Sequence, residues 1–303
     1  MYGGFFLTGK LLLALGINGL SMGIIYAMIA MGLILLIRSV GMLNFAQGDM
    51  LALGAYMLLL FGVDLSLPLP LAIMASMFIF AVFALLFMFA VYWPLRNNPY
   101  PITITMCCLG TSIALKEALR IIFGGDPVNV PYFLTNAEGK GVMVSIFGIS
   151  IQSQYLIIIG VGILVIAAIF ILYEKLYVGK MMEAASQDKY AAEVIGIPTI
   201  ATIGATYILS ITVAGLGGFM IAPLYTVNAN LGSLQFGAFA GAVIGGWGNT
   251  KGAIIGCLMV GLIEAYAHLY FTVYKDAAVF VVMVLFLLLR PQGLFPSKIG
   301  DKA

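Results

Sequence analysis

Long uninterrupted runs of apolar residues, separated by short polar segments, fill most of this chain. A helix needs about 20 apolar residues to cross a hydrocarbon core about 30 Å thick. The candidate crossings are 11–37, 45–61, 69–93, 101–123, 150–173, 199–222, 234–247, 252–273 and 277–290. Because 234–247 and 277–290 are short for a full crossing, we expect half-helices or tightly packed helices there.

The runs predict helices rather than β-strands. No water reaches the hydrocarbon core, so a spanning segment must satisfy its own backbone hydrogen bonds. Barrel strands alternate in segments of about 10 residues, whereas the runs here are continuous and longer. We therefore expect an all-α integral membrane protein, a polytopic bundle of about eight to nine transmembrane segments with short or broken helices. Residues 1–303 are expected to form one transmembrane domain.

The composition supports a surface that faces membrane lipid. Hydrophobic residues make up 63% of the chain and charged residues 9%, with a mean hydropathy of +1.12. A soluble domain carries about 25% charged residues. The net charge of +2 gives no indication of nucleic-acid binding. The three cysteines, Cys107, Cys108 and Cys257, lie in apolar runs without metal-binding spacing, so we expect free thiols and no metal.

The distribution of Lys and Arg predicts the orientation. If the crossings alternate from an external N-terminus, nine basic residues fall on the cytoplasmic side and five on the other. Cytoplasmic loops carry an excess of Lys and Arg, so we expect the C-terminus in the cytoplasm. The polar stretch 124–149 then forms an outer loop.

The polar segment 181–196 interrupts the hydrophobic pattern. Its helix-forming residues are flanked by Gly179 and by Gly196 with Pro198, a helix-stop signal. A continuous helix would be about 24 Å long. One face would carry Met181, Ala184, Ala185, Asp188, Ala191, Ala192 and Ile195.

Two interpretations of this segment remain open. An amphipathic helix can dock into a groove of another protein, or it can lie flat in the membrane interface. The alanine-rich face favours docking, because an interfacial helix presents Trp, Phe or Leu to the lipid.

A polar break enters the second apolar run. Asn44, Gln47 and Asp49 stand where a helix begins or lines a cavity. Intramembrane polar and ionisable side chains usually face a bundle interior or water, whereas Asn44 is also a typical helix-capping residue. Capping and cavity lining are both compatible with the sequence.

Glycines recur at helical spacing near the C-terminal third. Gly237, Gly241 and Gly245 are four residues apart, and Gly246 follows directly in the same Gly-rich stretch. This spacing favours close helix packing; the alternative is a backbone exposed to a substrate path. The strings LNFAQGDMLALGAYM and LQFGAFAGAVIGGWG are faintly alike, as expected for internal repeats with interrupted helices.

Residues for bond-making chemistry are not apparent. The chain has no G-x-x-x-x-G-K-[ST] motif for ATP and no H-E-x-x-H motif. Glu264 and His268 lie on one helix face, but two such residues do not make a metal site, and a mutual hydrogen bond is favoured. We therefore expect a protein that is not an enzyme.

Several motifs together resemble the LivH-type permeases of branched-chain amino acid ABC importers. They are Asn18-Gly19-Leu20 with Tyr26-Ala27, Gly41 to Asp49, Leu53 to Tyr56, Glu183-Ala184-Ala185 with Asp188, Ala192 and Gly196-Ile197, Gly215 to Pro223, Gly245 to Asn249, and Arg290 to Phe295. The resemblance covers nearly the whole chain. Its cytoplasmic motif departs from the common E-A-A-x-x-x-G pattern, because Lys189 stands at the glycine position.

The resemblance implies a permease in the bacterial cytoplasmic (inner) membrane that imports branched-chain or related hydrophobic amino acids. The implied partners are a LivM-like second permease, two ABC ATPase subunits and an extracytoplasmic solute-binding protein. ATP and Mg would bind the ATPases, and this chain would bind no cofactor. The implied coupling residues are Glu183, Ala184, Ala185, Asp188, Ala192 and Gly196.

We place the translocation path near the polar break and the glycine-rich region. Its candidate residues are Asn44, Gln47, Asp49, Gly241, Gly245 and Gly246. Similar permeases serve other amino acids, amides and urea, so the solute stays open. The rival class is an ion-coupled secondary transporter that works alone; it would need intramembrane charges, for which Asp49, Glu264 and His268 are the candidates.

Overall fold

The computed structural model describes residues 9–96, 98, 100–136, 140–146, 149–270 and 275–295, and within them the chain is mostly helical. The helices are α1 (Gly9–Val40), α2 (Gln47–Leu58), α3 (Leu69–Phe87), α4 (Trp93–Leu95), α5 (Pro101–Phe123), α6 (Ser153–Lys175), α7 (Tyr177–Gln187), α8 (Lys189–Val194), α9 (Thr199–Ile221), α10 (Gln235–Gly245), α11 (Thr250–Tyr270) and α12 (Lys275–Leu289). π-Helical turns continue α2 over Leu59–Asp64 and α3 over Met88–Tyr92, and a 3₁₀ helix, Ala229–Leu234, precedes α10.

Six of the described helical stretches are long and apolar enough to cross a membrane. They are Gly9–Val40, Leu69–Leu95, Ile102–Phe123, Ser153–Lys175, Thr199–Ile221 and Thr250–Leu269. The other predicted crossings are shorter helices: α2 has 12 residues, α10 has 11 and α12 has 15. The prediction of a polytopic helical membrane protein is confirmed, whereas the count of eight to nine crossings is not. Part of the predicted crossing 252–273, and Lys298 and Lys302 of the charge count, lie outside the described residues.

The first helix is the centre of the bundle rather than a lipid-facing rod. In the most apolar 18-residue stretch of α1, 89% of the residues are buried, whereas the corresponding share is 22% in α5 and 22% in α6. Helices α6, α9, α10 and α11 surround it. Glycines permit the closest approach: a Cβ at Gly23 would lie 2.8 Å from the Cα of Leu258, and one at Gly19 would lie 2.9 Å from the carbonyl oxygen of Gly261. Small residues at such crossings let helix backbones touch in the membrane.

One end of the bundle is marked by Arg38, near the end of α1. Arg38 bonds Glu174 at the end of α6 and Thr250 at the start of α11. We call this the Arg38 end, and the opposite end the far end. Helices α7 and α8 lie at the Arg38 end, where α7 packs against α1, α6 and α9.

Helix α2 begins halfway along the bundle rather than at one of its ends. Its first residue, Gln47, donates from Nε2 to the carbonyl oxygen of Ser210, near the midpoint of α9, at 3.0 Å. α2 then follows α9 to the far end. There the Tyr56 ring stacks on that of Phe123, the last residue of α5, with centroids 4.8 Å apart.

Helix α10 begins beside α2 and runs to the Arg38 end. The N–H of Gly48 donates to Oε1 of Gln235, the first residue of α10, at 2.5 Å. At its last residue α10 meets α11, where a Cβ at Gly245 would overlap the carbonyl of Gly252. Two interrupted helices that meet in the middle and diverge are typical of inverted repeats in transporters. The two similar sequence strings therefore occupy equivalent places, each at the start of a half-helix.

A short hairpin was not predicted from the sequence. Strands β1 (Met143–Ile146) and β2 (Ile149–Gln152) pair antiparallel within and just after the predicted outer loop, and β2 leads directly into α6 at the far end. An isolated bridge pairs Val128 with Val227, which ties this loop to the segment after α9. Four-residue strands are too short for an alternating pattern to stand out beside long apolar helices.

Candidate functional site

The predicted docking segment 181–196 is two helices instead of one. α7 ends at Gln187 and α8 begins at Lys189, and Asp188 between them is extended, with φ −150° and ψ 107°. Asp188 Oδ1 accepts a hydrogen bond from the N–H of Ala191 at 3.0 Å and so caps α8. Aspartate is among the preferred N-caps. The prediction of one continuous helix is wrong, because Asp188, which was expected inside the helix, ends α7 and caps the start of α8.

The predicted helix stop at Gly196 is confirmed. Gly196 has a φ of +86°, which suits glycine, and its N–H donates to the carbonyl of Glu193 at 3.0 Å. The N–H of Ile197 donates to the carbonyl of Ala192 at 2.9 Å. This pair of bonds is the Schellman motif, which satisfies carbonyls at a helix end.

Two of the alanines of this segment face the bundle, whereas Ala191 is exposed. Ala185 and Ala192 are only 1% and 2% exposed, and Ala184 is partly buried. The apolar side chains exposed on α8 and just after it are Tyr190, Val194 and Ile195, at 78%, 70% and 75%. The break at Asp188 divides the predicted alanine face: Ala185 and Ala192 pack the segment onto the bundle, whereas Tyr190, Val194 and Ile195 point away from it.

Arg38, near the end of α1, connects α7 to the end of α6 and the start of α11. Its Nη2 donates to Glu183 Oε1 at 2.8 Å, and its Nη1 donates to Glu174 Oε1 at 2.6 Å and to Thr250 Oγ1 at 3.1 Å. The guanidinium also lies 4.7 Å from the centre of the Tyr173 ring. We call these five residues the Arg38 cluster. Arg38 contributed only to the charge count in the sequence, since an arginine at the end of an apolar run does not reveal its partners.

Asn44 and Gln47 belong to a buried polar network between α1, α2 and α9. Asn44 Oδ1 accepts from the N–H of Ala46 at 3.0 Å, and its Nδ2 donates to Gln47 Oε1 at 3.3 Å. Ser210 Oγ donates to Gln47 Oε1 at 3.2 Å and to the carbonyl of Gly32 at 2.8 Å. Asn44 and Gln47 are both fully buried. Asn44 therefore forms a local turn before α2 but does not cap it, since the capping position is Ala46 and no side chain caps this helix; a part in the translocation path stays a prediction for Asn44 and Gln47.

Asp49 lies where α2, α5 and the 3₁₀ helix meet. Its Oδ2 accepts a hydrogen bond from Ser112 Oγ, and its side chain is nearly buried. A Cβ at Gly232 would lie 2.5 Å from Asp49 Oδ1, so any larger residue there would displace the Asp49 carboxylate. This carboxylate therefore stands in the first turn of the half-helix α2, close to the start of the half-helix α10.

The glycine-rich region packs helices together at the Arg38 end. A Cβ at Gly241 would lie 2.6 Å from the Cα of Cys257, and Gly245 is equally close to α11. Gly246 has a φ of +116° and forms the turn after α10. The chain returns to this turn at its C-terminal side, where the N–H of Phe295 donates to the carbonyl of Gly245 at 3.0 Å. These contacts support the packing interpretation, and passage of a substrate beside these glycines stays a prediction.

A cavity of about 480 Å³ lies between α1, α10, α11, α12 and the 3₁₀ helix. Its lining residues are Tyr26, Tyr225, Asn228, Asn230, Leu231, Ser233, Leu234, Phe236, Gly237, Glu264, Val279 and Phe280. A second cavity of about 120 Å³ shares Tyr225 and Glu264 and also contacts His268. Glu264 Oε2 accepts a hydrogen bond from the hydroxyl of Tyr26. The sequence singled out Glu264 beside His268 and as a candidate intramembrane charge, but its contact with Tyr26 was not predicted, because the two residues are 238 positions apart.

The described residues contain no group of three or more His, Cys, Asp or Glu side chains that could hold a metal ion. The cavity instead combines one carboxylate with aromatic and aliphatic walls and amide side chains at its edge. Such a lining suits a small amphiphilic molecule.

Comparison with known proteins gives a match along most of the chain. The family model described as "Branched-chain amino acid transport system / permease component" matches residues 15–289. The high-affinity branched-chain amino acid transport system permease protein LivH of Salmonella typhimurium is 30% identical over 290 residues, covering 91% of this chain and 93% of that protein. BraD, the corresponding permease protein of Pseudomonas aeruginosa, is 29% identical over 290 residues, covering 92% and 94%.

A solved structure is also similar in outline. PsaBC from Streptococcus pneumoniae in complex with Fab aligns over 90% of this chain and 89% of that one, with a TM-score of 0.46 and 15% identity. This likeness is too low to support an argument about fold or function.

Proposed function

The chain belongs to the family of branched-chain amino acid transport permeases, and we propose that it is the membrane-spanning permease subunit of an ATP-driven importer. The cargo that we propose is a branched-chain or related hydrophobic amino acid, as the printed names of the relatives state for those proteins. The family match over residues 15–289 carries this proposal. The six apolar helices suit it, since a solute path through lipid needs a polytopic bundle.

The importer that we propose contains four further kinds of component or ligand. They are a LivM-like second permease, two ABC ATPase subunits, an extracytoplasmic solute-binding protein, and ATP with Mg on the ATPases. The sequence of this chain has no G-x-x-x-x-G-K-[ST] motif, so the nucleotide is assigned to other subunits. We propose no cofactor for this chain.

We propose that the ATPase docks on α7 and α8. The exposed apolar side chains there, Tyr190, Val194 and Ile195, provide a surface that protrudes from the bundle. Helix-in-groove contacts of this kind bury a few such anchors in a partner. In this arrangement the coupling residues have different tasks: Asp188 and Gly196 shape the segment, while Ala185 and Ala192 seat it on the bundle.

The Arg38 cluster is the proposed route by which ATPase movement reaches the bundle. Glu183 on α7 is hydrogen-bonded to Arg38, and Arg38 is bonded to Glu174 and Thr250. A displacement of α7 would therefore act on α1, α6 and α11 together. Because α1 is the most buried of these helices, its movement changes the packing of the whole bundle. We propose alternating access without any chemical change to the solute.

The orientation follows from the docking proposal. The Arg38 end faces the cytoplasm, and the far end, with the hairpin β1–β2, faces the solute-binding protein. The segment around Phe295 packs against Gly245 at the Arg38 end, which supports a cytoplasmic C-terminus. The proposed location is the bacterial cytoplasmic (inner) membrane.

A second candidate function is ion-coupled transport by this chain alone. The observation in its favour is that two carboxylates, Asp49 and Glu264, are each 7% exposed inside the bundle. Intramembrane carboxylates mark ion pathways in many transporters. The same side chains also serve an ATP-driven permease, so they do not outweigh the family match.

The proposal is tested by co-expression with the candidate ATPases and second permease. The purified complex is then assayed for ATP hydrolysis with a panel of binding proteins loaded with leucine-type amino acids, other amino acids, amides or urea. We expect stimulation by binding proteins that carry branched-chain amino acids. If only an amide- or urea-loaded binding protein stimulated ATP hydrolysis, the chain would still be a permease subunit, but the proposed cargo would be wrong.

A further inference from the structure

The cavity of about 480 Å³ has a carboxylate on one wall and aliphatic side chains on others. Glu264, on α11, is 7% exposed and lines both this cavity and the smaller one beside it. Leu231, Leu234 and Val279 provide the aliphatic surface, and Ser233 lies at an exposed position of the lining. Small-molecule sites usually have volumes of about 300–1,000 Å³, apolar walls and a few polar groups that fix orientation.

The Tyr26 hydroxyl fixes the position of this carboxylate. Tyr26 lies near the middle of α1 and is 2% exposed, and its hydroxyl donates to Glu264 Oε2. A carboxylate has about four acceptor positions, so Glu264 can hold the bond from Tyr26 and accept further donors, among them those of a ligand. An intramembrane carboxylate is costly and is usually functional.

Aromatic rings around the cavity add to the attraction for a cation. Tyr26, Tyr225, Phe236 and Phe280 all contribute to the lining, and the Phe236 and Phe280 rings lie 6.2 Å apart between α10 and α12. The quadrupole of an aromatic ring attracts an ammonium group over its face, and the attraction is stronger when the ammonium group is desolvated. The cavity thus offers a negative charge and π faces to one end of a ligand and aliphatic contacts to the other.

We propose that this cavity binds the ammonium group and aliphatic side chain of an amino acid on its way through the bundle. Glu264 is the counter-ion of the ammonium group, Tyr26 is a positioning residue for Glu264, and Leu231, Leu234 and Val279 contact the side chain. This inference rests on the proposed function, because it names the site at which the proposed cargo is held. Gly237 of the glycine-rich region, where part of the path was predicted, lines this cavity, whereas the path candidates Asn44, Gln47, Asp49, Gly241, Gly245 and Gly246 are not among its lining residues.

The first experiment measures ATP-driven uptake of radiolabelled leucine by the complete importer in proteoliposomes. Glu264→Gln keeps the shape of the side chain and an acceptor for the Tyr26 hydroxyl but removes the charge. We expect its uptake rate to fall about 10-fold or more, since hydrogen bonds to charged groups are stronger than those between neutral groups. Tyr26→Phe should raise the KM for uptake with a smaller effect on kcat. The matched control is Glu117→Gln, which removes an exposed acid paired with Arg120 on α5.

The second experiment detects the ligand in the cavity directly. Ser233→Cys is introduced with Cys107→Ser, which removes the exposed native cysteine, and labelling by a maleimide is followed in the complex. We expect leucine to slow the labelling, and we expect 2-hydroxy-4-methylpentanoate, which lacks the ammonium group, to have little effect. Addition of Glu264→Gln should abolish protection by leucine.

The two experiments separate failure of this inference from failure of the proposed function. If the wild-type importer takes up no amino acid, the proposed function is wrong. If the wild type takes up leucine and Glu264→Gln does so at the same rate, only the ammonium site is wrong. Equal protection of Ser233→Cys by leucine and by the hydroxy acid, or no protection by either, would also overturn the site.

Discussion

Arg38 Nη2 donates a hydrogen bond to Glu183 Oε1 at 2.8 Å, which joins α1, the most buried of the six long apolar helices, to the short helix α7. Both side chains retain some contact with solvent, with 16% of Arg38 and 42% of Glu183 exposed. The pair is therefore accessible to change and yet connected to the core. A contact of this kind can pass a movement of α7 to α1 without a change in the fold of either helix.

Removal of the arginine should uncouple ATP hydrolysis from transport. Arg38→Ala leaves Glu174 and Glu183 without their shared partner. We expect stimulation of ATPase activity by the loaded binding protein to fall about 10-fold, because hydrogen bonds to charged groups contribute about 1.5–3 kcal/mol each. The control is Arg120→Ala, which breaks the exposed Arg120–Glu117 pair on α5. Full stimulation in the assembled Arg38→Ala complex would rule out this route of coupling.

Assembly with the ATPase should depend on the exposed residues of the segment rather than on its alanines. Ile195→Asp places a charge on a side chain that is 75% exposed, and we expect a marked loss of co-purifying ATPase, since buried unpaired charge is unfavourable in an interface. Leu134→Asp is the control at the far end, where Leu134 is 51% exposed. The test is the ratio of ATPase to permease after affinity purification, and an unchanged ratio for Ile195→Asp would contradict the proposed docking surface.

The cap of α8 can be tested on its own. Asp188→Ala removes the side-chain acceptor for the N–H of Ala191 and should cost about 0.5–2 kcal/mol of local stability, whereas Asp188→Asn retains an acceptor. Hydrogen exchange of the amides in residues 189–194 measures the difference. We expect faster exchange in Asp188→Ala alone, and equal exchange in the two variants would show that α8 does not need its cap.

Close helix packing predicts a contrast between two glycines. A Cβ at Gly54 would overlap the carbonyl of Gly215 on α9, so Gly54→Ala should destabilise the protein by about 1–3 kcal/mol. A Cβ at Gly110 on α5 meets nothing within 4 Å, and alanine is the better helix former by about 1 kcal/mol. Thermal unfolding in detergent should give a lower midpoint for Gly54→Ala and an unchanged or higher one for Gly110→Ala. The same midpoint for both would contradict the packing of α2 on α9.

Much of the bundle could be predicted from the sequence because lipid restricts the choices. A long apolar run has one stable form in a membrane, and the ends of α1, α3, α6 and α9 fall within a few residues of their predictions. The Gly196 stop was also predictable, since glycine followed by proline has a strong local signal.

The errors arise where one residue type permits two local structures. Asp188 is acceptable within a polar helix and favoured as an N-cap, and only the packing of Ala185 and Ala192 on the bundle decides between them. α2 is apolar for long enough to suggest a crossing, although the 2.5 Å bond from Gly48 to Gln235 places its start inside the bundle.

Contacts that are distant in the chain could not be predicted from patterns. Arg38 and Glu183 are separated by 145 residues, and Tyr26 and Glu264 by 238. Each of these residues has an ordinary local setting, and its role depends on which helices pack side by side. Hydrophobic periodicity does not determine that choice in a bundle where most faces are apolar.

ATP-dependent uptake of leucine into proteoliposomes is the most direct test of the central claim that this chain is a permease driven by separate ATPases. The account predicts uptake only when the second permease, the ATPases, the loaded binding protein and ATP are all present. Accumulation of leucine by this chain alone, driven by a sodium or proton gradient, would contradict it.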